Sequence, residues 1–224
     1  MLLHIPKVLE SEELQAVVNV LNQSQFVDGK LTAGQAAERV KSNLELGRDQ
    51  PQRDPLAKII IGALHRSEIF NQAALPYKIA TPLFARYTAG MSYGSHVDDP
   101  IMGAPGPLYR TDVSFTVFLT EPDAYEGGEL TVRTNWGEQQ VKFAAGDAVI
   151  YPSGTLHRVA EVTGGERMVA VGWAQSVVRD PAQREILYEL GQARNSLLKS
   201  SPQSEECDWV DHSYINLVRM WGEV

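Results

Sequence analysis

His96-Val97-Asp98 places an imidazole and a carboxylate two residues apart. On a strand, residues i and i+2 project from one face, so both groups would enter the same space. Two such groups and a second histidine make the facial triad that holds Fe(II) and leaves other coordination positions open. His157, in Pro152-Ser153-Gly154-Thr155-Leu156-His157-Arg158-Val159, is the candidate second histidine. It follows the Gly146-Asp147 turn and the apolar run Ala148-Val149-Ile150-Tyr151, a strand placed to return beside the one bearing His96. A lone strand histidine is more often structural, and His-x-Asp alone is a weak signal. Their combination points to a metal centre.

Arg167 is the second chemical feature. It shares one face of an alternating run with Val169, Val171 and Trp173, and Gln175 extends that face. Met168, Ala170, Gly172 and Ala174 form the other. Both faces are mainly apolar, so the strand reads as buried. A guanidinium cannot shed its proton and needs an anionic partner there. An internal Asp or Glu would serve; so would a small dicarboxylate gripped by the planar fork. Tyr87, on the strand before His96, is placed to hydrogen-bond the same anion, or else is an ordinary strand tyrosine.

The elements that must position these groups are legible from periodicity. Ser11 with Glu12 and Glu13 reads as a helix start, and Leu14, Val17, Val18 and Leu21 recur on one helical face. Thr32 and Gln35 have capping-box spacing, with Ala36, Ala37, Val40 and Leu44 continuing as a second helix. Asp54-Pro55 opens a third, with Leu56, Ile59, Ile60, Ala63 and Leu64 as its stripe. From Tyr77 to about Gln175 the period becomes two, as in Val113, Phe115, Val117 and Leu119 against Ser114 and Thr116. Turns at Glu126-Gly127-Gly128, Asn135-Trp136-Gly137, Gly146-Asp147 and Gly164-Gly165 punctuate the run. Many short strands so spaced predict a jelly-roll or cupin-like double sheet. Helix resumes at Asp180-Pro181, with Ile186, Leu187, Leu190 and Leu197 on one side. After a polar linker, Tyr214, Leu217, Val218 and Trp221 form a last stripe, facing the core or a partner. The expected fold class is α+β with a mainly β core. N-terminal helices (residues 1–76) pack outside that core (77–178), and a C-terminal helical extension (179–224) follows.

Composition narrows the function classes. The 224 residues are 43% hydrophobic and 21% charged, as in an ordinary globular domain with a real core. A formal charge of −8 argues against nucleic-acid or anionic-membrane partners. No apolar run approaches the roughly 20 residues of a membrane span. Cys207 is the one cysteine, so no internal disulfide is available, and the first residues lack signal-peptide character. A cytoplasmic protein is the expectation.

The chain resembles the prolyl-4-hydroxylase-type Fe(II)/2-oxoglutarate dioxygenases, and more closely the bacterial PKHD-type hydroxylases often associated with iron uptake. The resemblance runs through most of the chain. It is densest in Tyr87 to Asp98, Arg110 to Ser114, Tyr125 to Leu130, Ala145-Gly146-Asp147, Tyr151-Pro152-Ser153 and Trp173 to Asp180. It implies a double-stranded β-helix core. It also implies that His96, Asp98 and His157 bind Fe(II) as the catalytic centre, that Arg167 binds the distal carboxylate of 2-oxoglutarate, and that Tyr87 helps hold it. The implied reaction hydroxylates a small-molecule or peptidyl substrate with O2 while 2-oxoglutarate is decarboxylated to succinate and CO2. The triad fills three octahedral positions and the 2-oxoacid two, leaving one for O2. L-ascorbate (vitamin C) as a helper, a role in iron uptake or homeostasis, and a homo-oligomer formed through the helical termini are further expectations.

Two other readings stay open at this level. A cupin-like metal enzyme without 2-oxoglutarate would share the triad but would not need Arg167. A non-catalytic jelly-roll would bind iron or ligand without turnover. Asp99 to Leu108, rich in Pro and Gly, reads either as a lid that chooses substrate or as a surface connection. Arg110 and Asp112 are candidates for substrate contact or for an ion pair. Asp147 reads as a turn residue, and His4, His65 and His212 carry no assignment.

Overall fold

The computed structural model describes residues 1–32, 34, 38–103 and 108–223. In chain order the elements are β1 (Leu3–Ile5), α1 (Ser11–Asn22), β2 (Phe26–Asp28), a 3-10 turn (Gly29–Thr32), β3 (Lys41–Ser42), β4 (Leu44–Leu46), α2 (Arg53–Arg66) and α3 (Glu68–Ala74). Then come β5 (Pro76–Ile79), β6 (Leu83–Thr88), β7 (Ser92–His96), β8 (Ile101–Met102), β9 (Tyr109–Arg110), β10 (Val113–Phe118), β11 (Tyr125–Gly127), β12 (Leu130–Thr134) and β13 (Gly137–Val141). The chain continues through β14 (Ala148–Pro152), β15 (His157–Val159), β16 (Val162–Ser176), α4 (Pro181–Ser200) and α5 (Glu205–Trp221).

Two antiparallel sheets carry the core. The larger runs β1-β14-β10-β16-β6-β4-β2, with β5 and β11 also paired to the long β16; the smaller runs β13-β12-β15-β7-β3. Strand β10 is buried at all six positions, and its alternation explains the layers. Val113, Phe115 and Val117 pack with Leu56, Ile60 and Leu64 of α2 and Phe70 of α3 in one cluster. Phe118, with Val149, Tyr151 and Val169 of the larger sheet, packs with Leu130, Val132 and Val159 of the smaller one in the other. Each fully buried Leu, Ile or Phe contributes about 1.5–3 kcal/mol relative to exposure. The polar members of β10, Ser114 and Thr116, line the cleft between the sheets. The period-two pattern therefore separates a helix-covered face from a lined cavity, not a core face from solvent.

The N-terminal part departs from the expected run of helices. The second helix is shorter than expected: Glu38 is helical, its N–H donated to the Gly34 carbonyl, but Lys41–Ser42 pairs with β7 and Leu44–Leu46 with β6. Its proposed start at Thr32 and Gln35 lies largely outside the described residues. Tertiary pairing with two sheet edges overrides the local helical spacing. Strand β1, also unanticipated, adds to the sheet through Leu3↔Ile150. Helix α1 takes Glu10 as its N-cap, in a capping box with Glu13, so Ser11 is the first helical residue. Helix α2 starts at Arg53, which puts Pro55 inside the first turn, where a missing N–H costs nothing.

Helix α4 starts at the expected cap. Asp180 accepts hydrogen bonds from the Ala182 and Gln183 N–H groups, and Pro181 occupies the first turn. The buried face of α4 is Arg184, Leu187 and Gly191, whereas Ile186 is 49% exposed. Helix α5 packs back on α4, with Tyr214 beside Gly191.

Candidate active site

Strands β7 and β15 are neighbours, and His96 lies directly opposite His157. The ladder holds an irregularity: Val159 pairs with Tyr93 and His157 with His96, two residues against three. Such a bulge re-aims side chains. Here it turns both Tyr93 and His96 into the cleft. The two imidazole centroids are 4.3 Å apart, tilted by 53°. Asp98, just past the end of β7, completes the group. Its Oδ1 is 3.9 Å from His96 Nε2 and 3.7 Å from His157 Nε2. One ligand atom from each of the three residues lies within 4.8 Å of the other two.

The surrounding hydrogen bonds fix which atoms face inward. His96 Nδ1 lies 2.8 Å from the Gly94 carbonyl and His157 Nδ1 lies 2.9 Å from the Thr155 carbonyl. A carbonyl only accepts, so both rings carry their proton on Nδ1 and present the Nε2 lone pair. Asp98 Oδ2 accepts from the Ser114 hydroxyl at 2.6 Å. Ser114 spends its single proton there, so Ser153, 2.8 Å away, donates to Ser114. Oδ1 is left facing the imidazoles. Burial, and then the neighbouring His157, push the His96 pKa down to about 4, so its ring is neutral at pH 7. Aromatic rings flank both imidazoles. Tyr93 stacks on His96 at 3.7 Å and 15°, and Tyr151 meets His157 at 5.1 Å and 61°. Two imidazole nitrogens and one carboxylate oxygen, each held from behind, suit a borderline divalent transition metal such as Fe(II).

The cleft has an empty volume of about 840 Å³, including its open mouth. Arg167 lies in its wall, 1% exposed, its guanidinium 5.1 Å from the Tyr87 ring centroid and 5.9 Å from that of Phe118. Its Nε and Nη1 have no hydrogen-bond partner among the described residues. A buried charge in that condition is costly unless an anion completes it. Tyr87 pairs with Arg167 across β6 and β16. Burial pushes its phenol pKa up to about 12, against the opposing pull of Arg167, so it keeps its proton. The opening for Arg167 depends on Gly128, at φ +68°, where a Cβ would stand 3.1 Å from the arginine Cδ. That close approach is one reason for the Gly127-Gly128 pair.

Other expectations resolve differently. Arg110 and Asp112 form an ion pair, Nε to Oδ1 at 2.7 Å, and neither lines the cleft. Asp147 accepts from the Lys7 N–H and lies 2.7 Å from His4 Nε2, anchoring the N-terminal strand to its turn. Asp99 and Met102 line the cleft, and β8 and β9 form a hairpin after them. Residues 104–107 of the expected lid lie outside the described residues. Sequence reasoning missed Lys41, Asn43, Glu45, Tyr93 and Ser114, which also line the cleft. Ser114 had a signal, a hydroxyl inside a strand apolar on both sides. Lys41 and Glu45 had none, because Lys41 fell within a stretch with helical spacing and Glu45 directly after it.

A family model described as the 2OG-Fe(II) oxygenase superfamily matches residues 82–175. A PKHD-type hydroxylase of Thioalkalivibrio sulfidiphilus is 51% identical over 224 residues, covering 100% of both chains. The chain belongs to the PKHD-type hydroxylase family. A second member, from Rippkaea orientalis, is 45% identical over 223 residues, again covering 100% of each chain. Among solved structures, a Pseudomonas putida prolyl-4-hydroxylase superposes with a TM-score of 0.54 at 19% identity, covering 78% of this chain and 92% of its own. A non-heme alpha ketoglutarate dependent epimerase, SnoN from nogalamycin biosynthesis, gives 0.56 at 18%, covering 79% and 78%. Both share the double-stranded β-helix, or jelly-roll, fold. This PKHD-type hydroxylase is therefore a 2-oxoglutarate-dependent dioxygenase whose family uses Fe(II), 2-oxoglutarate, O2 and an organic substrate. The readings without 2-oxoglutarate or without turnover fall away.

Proposed function

We propose that His96, Asp98 and His157 are the Fe(II) ligands and that Arg167, aided by Tyr87, binds the distal carboxylate of 2-oxoglutarate. The observation that carries the proposal is the pairing of the triad with an uncompensated, buried Arg167 in one cleft. Fe(II) and 2-oxoglutarate supply the oxidising chemistry, coupling decarboxylation to succinate and CO2 with insertion of oxygen from O2 into a substrate C–H bond. The residues supply the rest. His96 and His157 offer Nε2 because Nδ1–H is committed to backbone, and Asp98 offers Oδ1 because Oδ2 is committed to Ser114. Arg167 fixes one end of the dicarboxylate by charge-assisted hydrogen bonds, and the protonated Tyr87 phenol donates beside it. Trp173 lies across from Ser114 on the neighbouring strand. Its buried Nε1–H has no partner among the described residues and is available to substrate.

The size of the cleft supports a small molecule or a single peptidyl side chain as substrate, with the hairpin after Asp99 as its cover. On this reading 77–178 carries the chemistry, and none of the described residues of 179–224 lines the cleft. A cytoplasmic setting, a role in iron uptake or homeostasis, and ascorbate as a helper belong to the same proposal. So does self-association through the exposed Trp209 and Met220 of α5. The net charge of −8 supports partners other than nucleic acid or an anionic membrane. No helix among the described residues is long and apolar enough to cross a membrane.

The test is spectroscopic. Anaerobic protein with Fe(II) and 2-oxoglutarate should show a weak visible charge-transfer band, and admitting O2 should yield succinate. His157→Ala should abolish the band, and Arg167→Ala should weaken 2-oxoglutarate binding while sparing iron. An unchanged band in His157→Ala, or unchanged cosubstrate affinity in Arg167→Ala, would defeat the assignment.

A further inference from the structure

Strand β3 and the residue before it hold His96 from two directions. Along the ring edge, Nδ1–H is donated to the Gly94 carbonyl, and the Gly94 N–H is donated to the Val40 carbonyl at 2.8 Å. Residue 94 must be glycine for that approach, because a Cβ there would stand 2.7 Å from the Val40 Cβ. Across the ring face, Tyr93 lies parallel to the imidazole at 3.7 Å. The Lys41 ammonium stands 5.3 Å from the Tyr93 centroid, within cation–π range, and Lys41 is the cross-strand partner of Tyr93. Lys41 is itself held by Glu45, Nζ to Oε1 at 2.5 Å, with both side chains buried. Glu45 belongs to β4, opposite Ala85 of the larger sheet.

A chain of contacts results: carboxylate, ammonium, phenol ring, imidazole. It starts on the larger sheet and ends on a ligand of the smaller one. A buried ion pair is weak evidence for stability, because desolvation offsets much of its Coulombic gain. Its alignment on Tyr93 and His96 gives it a second use. Imidazole orientation is what a metal site needs and cannot get from a two-residue strand pairing alone. Residues 40–45 also lie outside the 82–175 segment matched by the superfamily model.

We propose that Lys41 is a positioning residue for the metal ligand His96, acting through the Tyr93 ring and braced by Glu45. The inference rests on the proposed ligand role of His96. Glu45 orients the ammonium, the ammonium lies against the Tyr93 ring, and the stacked Tyr93 ring stops the imidazole from rotating away from the Asp98 and His157 donors.

The test uses Co(II) in place of Fe(II), without 2-oxoglutarate or turnover. Lys41→Met alone would change the net charge beside the buried Glu45, so the informative protein is the double variant Lys41→Met with Glu45→Gln. Its fold is checked by circular dichroism. Co(II) affinity should fall about tenfold and the visible d–d bands should shift, while 2-oxoglutarate affinity of the Co(II)-saturated protein stays within about twofold. Lys41→Arg, which keeps the cation, should restore parental bands. If the double variant does not fold, Tyr93→Leu and Tyr93→Phe ask the same question, with loss expected for leucine and parental bands for phenylalanine. Parental Co(II) affinity and spectrum in the double variant, or equal behaviour of Tyr93→Leu and Tyr93→Phe, overturns the proposal. His96→Ala separates it from the ligand assignment. Unchanged Co(II) affinity there defeats both, whereas loss there beside a parental double variant defeats only the positioning role.

Discussion

At the scale of single residues, the proposed site commits one atom of each candidate ligand so that the other is free. Ser114 does this for Asp98. Its hydroxyl reaches from the larger sheet to a carboxylate on the smaller one, at 2.6 Å. A hydrogen bond to a charged group is worth about 1.5–3 kcal/mol, and a lost partner behind a metal ligand typically costs about 10- to 100-fold in metal affinity. Ser114→Ala should therefore keep the fold and weaken Co(II) or Fe(II) binding within that range, read by titration in the absence of 2-oxoglutarate. Binding as tight as in the parent would show that Asp98 needs no orientation from this side. Ser114 also marks a limit of sequence reading. It stood inside a recognisable stretch, but its target was a carboxylate 16 residues earlier, and only the packing of β10 beneath the end of β7 joins them.

At the scale of elements, local signals held wherever the chain supplied its own partner. Asp180-Pro181 is such a case, with side chain and ring both acting on the turn that follows. Asp180→Ala removes the bonds to the Ala182 and Gln183 N–H groups. It should cost about 1 kcal/mol, a fall of about 2–4 °C in melting temperature for a chain of this size, with iron and cosubstrate binding unchanged. A scan that shows no fall would mean that packing on α5, not the cap, sets the start of α4. Local signals failed where a distant strand edge was waiting. Val40 and Leu44 have helical spacing, yet β7 and β6 offer unpaired backbone on either side of the barrel. Residues 41–46 turn the corner between them. Lys41 and Glu45 reach the cleft as a consequence of that corner.

At the scale of the whole molecule, the proposed site spans both sheets. The triad hangs from the smaller sheet and Arg167 from the larger. A metal alone engages one side, and a dicarboxylate alone engages the other. Together they bridge the two, so their effects on stability should exceed the sum of the parts. A ligand present at 100 times its dissociation constant stabilises by about 2.7 kcal/mol. Melting curves of the apo protein, with Co(II), with 2-oxoglutarate, and with both should show the combined shift to be greater than additive. Arg167→Ala should return it to the metal-only value. Strict additivity would mean that the two ligands do not share one site.

The sequence by itself determined the chemistry and its inventory. His96-Val97-Asp98, His157 and an arginine in an otherwise apolar strand are local facts, and alternation of period two is a backbone property that no partner needs to supply. The strand-rich centre, the Asp180-Pro181 boundary and the family resemblance follow from the same kind of information. Tertiary structure alone decided which atoms face one another. The bulge in β7 turns Tyr93 inward beside His96, Ser114 captures Asp98 across the sheets, and Lys41 and Glu45 arrive from a segment with helical spacing. Each of these depends on strand register between residues far apart in sequence. A slip of one residue would send every side chain to the opposite face, and no local pattern records that choice.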